Sequence, residues 1–222
     1  MEEPKGRRME LLIWGASGHA KVVADIVRRA GTFEIAGYLD DLHPHPPHAT
    51  FLGAPLFTSL TILAELRSRG VSHLILGFGN CAARLRLAPV AREHGFSLAT
   101  AVHPSAVVAE EVRMGAGTVV AGGAVINPGT VLGENVIVNT GAVVDHDCVV
   151  EDGAHICPGT RLAGDVKVGR GAWVGIGATV IEKVRIGAGA FVGAGAVVIR
   201  DVPDNVVVAG VPARILREAS SP

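Results

Sequence analysis

From Val102 onward every sixth residue is aliphatic or Met without a slip: Val102, Val108, Met114, Val120, Ile126, Leu132 and so on to Val198, seventeen in all. Four places after each stands a small or β-branched residue, among them Ala106, Thr118, Ala142, Cys148 and Val202. The position following the aliphatic is often Gly, Ala, Asp, Glu or Asn. A period of six is neither the 3.6 of a helix nor the 2 of a strand. It is the hexapeptide repeat of a parallel β-helix: three short strands and three sharp corners per coil. One large apolar residue per hexad points into the prism, a second inward position must be small, and glycine turns the corners where φ is positive. One coil cannot bury its own core, so stacking is obligatory; seventeen hexads make between five and six coils. The uncharged run Met114–Gly133 has the hydropathy of a membrane span, but Asn127, Pro128, Thr130 and its glycines argue against a helix, and the register of six passes straight through it.

Ahead of the repeat the pattern changes. Glu10–Trp14 reads as a buried parallel strand, followed by Gly15-Ala-Ser-Gly18-His19 and an amphipathic helix from about Ala20 to Ala30, stopped by Gly31. A second strand, Ile35–Leu39, ends in Asp40-Asp41. Strand, Gly-rich turn and helix aim backbone N–H groups at a phosphate, and acids closing the second strand bind a ribose or a base edge. The plainer reading is a tight turn and a solvated acidic loop, since the motif is not a full G-x-G-x-x-G. Residues 42–55 read as loop. Thr58 or Ser59 caps a helix through Arg69, with Gly70 as its stop. His73–Leu76 is a third strand, and a further helix runs from about Ala82 to His94 before Gly95. The chain therefore divides into a tail over 1–8, a small α/β Rossmann-like domain over 9–98 and a β-helix with a C-terminal cap over 99–222. The small domain is long enough for one nucleotide half.

Composition fits a narrow prism: 49% hydrophobic, only 4% aromatic, with 29 glycines. A net charge of −1 leaves no electrostatic footprint for nucleic acid. Met1–Arg8 is polar and charged, so neither a signal peptide nor membrane insertion is expected. Cys81, Cys148 and Cys157 show neither metal spacing nor an even count, and Cys148 fills a small inward slot; a reducing cytoplasm is the natural compartment. His43, His45 and His48 alternate with prolines close enough for a metal, but no carboxylate or cysteine completes a second shell, so no metal is expected.

Two histidines of the repeat stand out. His146, in Val144-Asp145-His146-Asp147-Cys148, sits at a corner, two places after the inward aliphatic. It reads either as a solvated corner or as a general base, its tautomer fixed by a neighbouring carboxylate. His155 immediately precedes inward Ile156 and so also faces outward. His103 lies more than two coils away, about 10 Å along the axis at ~4.8 Å per coil, too far to share a site with His146 in one chain. The stretch Val206–Leu216 leaves the repeat and reads as a cap folding back across the last coil.

Three stretches carry a family resemblance: Gly15–His19, Asn139–His155 and Gly210-Val-Pro-Ala213. With them, the chain from Met9 to Leu216 resembles the bacterial sugar O- and N-acetyltransferases of the sialic-acid O-acetyltransferase type. The likeness is strongest to enzymes that N-acetylate nucleotide-linked 4-amino sugars. The resemblance implies a left-handed β-helix, a homotrimer with active sites in the clefts between neighbouring β-helices, and acetyl-CoA as co-substrate lying along each cleft. It implies His146 as general base with Asp147, or alternatively Asp145, orienting it; members often carry Glu where this chain has Asp147. It further implies His155 near the thioester, Gly164 as a backbone donor to the thioester oxygen, Gly175 against the pantetheine arm, and the sugar nucleotide on Gly15, Ser17, Gly18, His19 and Asp40 or Asp41. Direct attack of the sugar amine in a ternary complex then needs no nucleophilic Ser or Cys. Three competing readings remain: O-acetylation of a sugar hydroxyl, as on sialic acid; a non-catalytic nucleotide-sugar scaffold; and a zinc hydrolase on the same fold. The last needs three His ligands at an inter-subunit site, and only His146 and His155 are near enough.

Overall fold

The computed structural model describes residues 8–219, so the expected tail lies outside the described residues except for Arg8. The N-terminal unit is built on β1 (Met9–Trp14), β2 (Phe33–Leu39), β3 (Thr50–Phe51), β4 (Ala54–Phe57), β5 (His73–Leu76) and β6 (Ser97–Leu98). These form one sheet in the order β3-β4-β2-β1-β5-β6, parallel except for the β3–β4 pair. Leu11, Leu12 and Ile13 of β1 are wholly buried, as a central strand covered on both faces requires. Helix α1 (Gly18–Ala30) covers one face; α2 (Ile62–Ser68) and α3 (Cys81–Glu93) cover the other.

Three details differ from the sequence reading. The segment 42–55, read as loop, holds β3 and the start of β4, which pair as an antiparallel hairpin. Its turn is Leu52-Gly53, both at positive φ (48° and 82°), a conformation the proline-rich approach does not advertise. Helix α2 begins at Ile62, later than a Thr58 or Ser59 cap would give; the Ser59 hydroxyl instead accepts from the Thr61 amide at 3.3 Å and holds the preceding turn. The C-terminal stretch extends the edge of a face. Val206–Ala209 stacks in parallel on Phe191–Val192, and Arg214–Glu218 folds back antiparallel beside it.

From Ala101–Val102 to Val197–Val198 the chain makes seventeen two-residue strands, and each through Thr179–Val180 pairs in parallel with the strand eighteen residues on. They line three faces. The second residue of each strand and the small residue four places later fill the prism, from Val120, Ala124 and Ile126 to Ala196 and Val198. Corners use the left-handed region. Glycine usually occupies it, but Asn135, Asp147, Asp165, Lys183 and Asn205 take it at φ of 53–62°.

The first face of the prism positions the site. Its outward column runs Ala101, Val119, Ile137, His155, Trp173, Phe191 and Val207. α1 lies between the N-terminal sheet and the start of this column, so Val23, Ile26 and Val27 share one core with Ala101, Val119 and Ile137. The two units therefore form one continuous packed body at this face.

Candidate active site

His146 stands on the corner between the second and third faces, its side chain 60% exposed. Its Nδ1 lies 2.8 Å from Asp147 Oδ2. A carboxylate only accepts, so Nδ1 carries the proton and Nε2 presents its lone pair outward. Asp145 does not orient the ring. Its Oδ1 accepts from Asn127 Nδ2 and from the His146 amide, both at 2.8 Å, and Thr130 Oγ1 donates to its carbonyl at 2.8 Å. Asp145 thus fixes the corner backbone, and Asp147, despite its short side chain, reaches the imidazole. The hydrogen bond to Asp147 raises the His146 pKa above its ordinary value, against an opposing effect of desolvation; the charges of Asp145, Asp147 and Asp165 add to the rise. One coil further on, Gly164 lies directly beside the ring: a Cβ there would come 2.6 Å from Cε1 and Nε2.

The expected nucleotide-binding turn closes β1. Gly15, at φ 131°, donates to the Leu39 carbonyl at 2.7 Å, and a Cβ on it would come 3.0 Å from the Gly77 carbonyl. Close packing against the end of β5 is reason enough for this glycine. Ser17 is the N-cap of α1 without a side-chain cap bond; it and Gly18 are exposed, and a Cβ on Gly18 meets nothing within 4 Å. The first turn of a thirteen-residue helix is therefore open to an anion. At the end of β2, Asp41 Oδ1 accepts from Trp14 Nε1 at 2.8 Å. Asp40 draws in the proline-rich loop: His43 Nδ1 and His45 Nε2 lie 3.0 and 2.9 Å from its Oδ2. Partial burial tends to raise the Asp40 pKa, but hydrogen bonds from His45, His43 and the Leu42 amide outweigh it and hold the carboxyl below its ordinary value. Among the described residues no group of three His, Cys, Asp or Glu side chains is placed to hold a metal.

His155 departs from expectation. It faces outward from the prism, yet it is only 3% exposed, because the loop after β5 lies over it. Its Nδ1 is 3.3 Å from the Gly79 carbonyl, so Nδ1 is the protonated nitrogen, and Nε2 accepts from Asn139 Nδ2 at 3.1 Å. Trp173 packs edge-on at 4.4 Å between ring centroids, and His19 stands 5.9 Å away. Burial, with the nearby Arg84 charge, lowers the His155 pKa to about 3 and that of His19 to about 4, so both stay neutral. The His19 Nε2 is buried without a hydrogen-bond partner among the described residues. Gly175 sits at the next corner, where a Cβ would come 2.5 Å from the Val192 carbonyl and Thr160 Oγ1 donates to its own carbonyl at 2.9 Å. The structure thus groups His146, Asp147 and Gly164 on one edge of the prism. Gly15, Ser17, Gly18, His19 and His155 gather at the first face, with Asp40 and Asp41 at the end of β2. Burial raises the thiols of Cys148 and Cys157 to about 11 and about 12, which removes them as nucleophiles.

Sequence reasoning passed over Arg84. It lies 1% exposed at the seam between the two units. The available signal was a lone arginine in the buried stripe Cys81, Arg84, Ala88, Ala91 of α3.

Residues 10–90 match the PglD N-terminal domain, and residues 129–164 and 165–200 match the bacterial transferase hexapeptide repeats. PerB from Caulobacter crescentus, solved with CoA and GDP-perosamine, is 45% identical over 93% of this chain and 97% of its own, with a TM-score of 0.87. The chain belongs to the hexapeptide acetyltransferases with a PglD-type N-terminal domain. A histidine-to-alanine mutant of the C. crescentus GDP-perosamine N-acetyltransferase, with CoA and GDP-perosamine, is 44% identical over 94% of this chain and 97% of its own, at a TM-score of 0.89. The acetyltransferase domain of PglB from Neisseria gonorrhoeae, solved with acetyl coenzyme A, is 37% identical over 95% of this chain and all of its own, at 0.87. No curated protein matches the chain by sequence. As a hexapeptide acetyltransferase the protein is an acetyl-CoA-dependent enzyme with the left-handed β-helix of its family. Among the described residues no helix is long and apolar enough to cross a membrane.

Proposed function

We propose that this enzyme transfers the acetyl group of acetyl-CoA to the amine of a nucleotide-linked 4-amino sugar, with His146 as general base. The observation that carries the reading is the His146–Asp147 pair: an exposed imidazole whose Nδ1–H is held by a carboxylate and whose Nε2 lone pair faces the surface. The neutral sugar amine attacks the thioester carbonyl, and Nε2 takes the amine proton as the C–N bond forms. The C–S bond then breaks, and the imidazolium returns the proton to the departing thiolate. The Gly164 backbone, next to the ring, is the donor for the oxyanion, a contribution of about 3 kcal/mol in comparable sites. The open start of α1 at Ser17 and Gly18 takes the nucleotide phosphates; the free oxygen of Asp41 and the Asp40 loop meet the ribose or base; Gly175 and the turns after it bound the pantetheine arm.

Within one chain His146 and the nucleotide turn occupy different sides of the prism, which supports a site completed by a neighbouring copy in a threefold assembly. The natural compartment is the cytoplasm, where buried, free Cys81, Cys148 and Cys157 stay reduced. The test is an acceptor screen. Purified protein and acetyl-CoA are incubated with UDP- and GDP-linked 4-amino sugars and with free sialic acid, and CoA release is followed. Turnover with a nucleotide-linked amino sugar is the expected result. Turnover with sialic acid alone would replace this reading by O-acetylation, and binding without any CoA release would leave a scaffold.

A further inference from the structure

Arg84 projects from α3 into the seam between the two units and is surrounded there by backbone. Its Nε donates to the Asn135 carbonyl at 3.1 Å, and Nη2 donates to the carbonyls of Gly153 and Ala154 at 2.8 and 3.2 Å, all on β-helix corners. Its Nη1 donates to Phe78 and Gly79 on the loop after β5, at 3.3 and 2.5 Å. One guanidinium therefore ties that loop to two successive coils, using the planar fork that lysine lacks. The same Gly79 carbonyl accepts from His155 Nδ1. From there the chain of bonds continues through His155 Nε2 to Asn139 Nδ2, while Asn139 Oδ1 accepts from the Thr140 amide at 2.8 Å. The relay crosses the first face from one corner to the next. It runs beneath the turn that carries His19, whose ring stands against His155.

We propose that Arg84 is a positioning residue for acetyl transfer, which locks the Gly77–Asn80 loop on the β-helix and, through the Gly79 carbonyl, fixes the orientation and tautomer of His155. This rests on the transferase reading above, in which the nucleotide turn at this seam meets the His146 edge of a neighbouring copy. The loop after β5 also packs on the nucleotide turn, since the Gly77 carbonyl is the nearest neighbour of Gly15. Arg84 thereby sets where the acceptor amine sits relative to the thioester. A misplacement of about 1 Å costs on the order of 100-fold in rate, and a positive charge that cannot make the fork is expected to allow it.

The test joins kinetics to a readout independent of activity. In wild-type protein, the ¹⁵N shifts of His155 should show a protonated Nδ1 and a bare Nε2, with no titration between pH 5 and 8. Burial disfavours its protonation most, and the Arg84 guanidinium facing it adds to this against the hydrogen bond to the Gly79 carbonyl; His19, the other titratable group facing it, is neutral in this range. Arg84→Lys should lower kcat by about 10- to 100-fold with the KM for acetyl-CoA within about twofold. His155→Asn should cause a similar loss, and the double variant should lose little more than either alone, because both act through one relay. A kcat within about twofold of wild type for Arg84→Lys would overturn the proposal, as would losses that multiply in the double variant. Should Arg84→Lys fail to fold, the wild-type spectrum and His155→Asn still decide: an Nε2–H tautomer, a His155 that titrates near 6.5, or full activity in His155→Asn each overturns it. If wild type acetylates no nucleotide-linked amino sugar while the spectrum is as expected, the reading of function fails and Arg84 is reduced to a rivet between the units.

Discussion

At the scale of the residue, the proposed chemistry rests on one imidazole and what touches it. His146→Ala should leave the fold intact, because an exposed corner side chain adds nothing to the inward core, while acetyl transfer falls by about 10²- to 10⁴-fold at little cost to substrate binding. In the proposed role the imidazole acts when neutral. Its folded pKa is raised by Asp147, so kcat/KM should climb with pH along a limb centred above the ordinary histidine value of 6.5. Asp147→Asn should move that limb down toward 6.5 with a smaller loss of rate; a limb that stays in place would return the orienting role to Asp145. Gly164→Ala adds a methyl within 2.6 Å of the ring, against an exposed side chain that can swing away. We expect normal thermal stability with a rate reduced at least tenfold, compared by calorimetry and steady-state kinetics. How much of this the sequence discloses varies. The motif around His146 names the base and both carboxylates, but the choice between them is invisible there. It depends on Asn127, eighteen residues earlier and one coil below, which engages Asp145. The deep burial of His155 is equally unreadable, since what covers it is Gly79, seventy-six residues away.

At the scale of the element, the hexads declare every strand of the prism, because each inward position obeys one local rule repeated seventeen times. The small domain is less legible. β1, α1 and β5 follow from apolar runs and glycine stops. The β3–β4 hairpin hides among prolines, and β6 is two residues long. Nor does a list of outward residues say which face receives the domain, although the column Val119, Ile137, His155, Trp173 is the one without a lysine or arginine. That seam holds two histidines, at positions 19 and 155, neutral by burial, and this has a cost in acid. A histidine with a folded pKa below 6.5 stabilises the fold fully above 6.5 and loses that contribution as pH falls toward the folded value. With folded values of about 4 for His19 and about 3 for His155, each should remove about 1.4 kcal/mol per pH unit between roughly pH 6 and 4. Melting temperature should therefore drop steeply across that window, and His155→Gln should flatten the slope. An unchanged slope would mean the seam opens to water before either ring protonates.

At the scale of the whole molecule, the question is where one active site ends and the next begins. His146 projects from the edge between the second and third faces of the prism, and the candidate nucleotide turn at Ser17 and Gly18 belongs to the unit docked on the first. In a threefold assembly each prism can offer its edge to the seam of a neighbour, and exposed Val107, Ile176 and Ile181 give such contacts apolar surface. Light scattering should give three chains per particle at micromolar concentration. The sharper experiment mixes two inactive proteins. His146→Ala lacks the base; Gly18→Trp keeps it but fills the open start of α1, where a side chain meets nothing of its own chain and would meet the phosphates instead. Each alone should be nearly inactive with both trimers folded. After reversible dissociation and random reassembly, a site is whole only when its base comes from a Gly18→Trp chain and its nucleotide turn from a His146→Ala chain. Each condition holds half the time at equal mixing, so about one quarter of wild-type activity should return. A site contained within one chain would restore none, since every chain then carries its own lesion into its own site. Recovery near one quarter, rising and falling with the mixing ratio as the product of the two fractions, assigns the base and the nucleotide turn of each site to different chains.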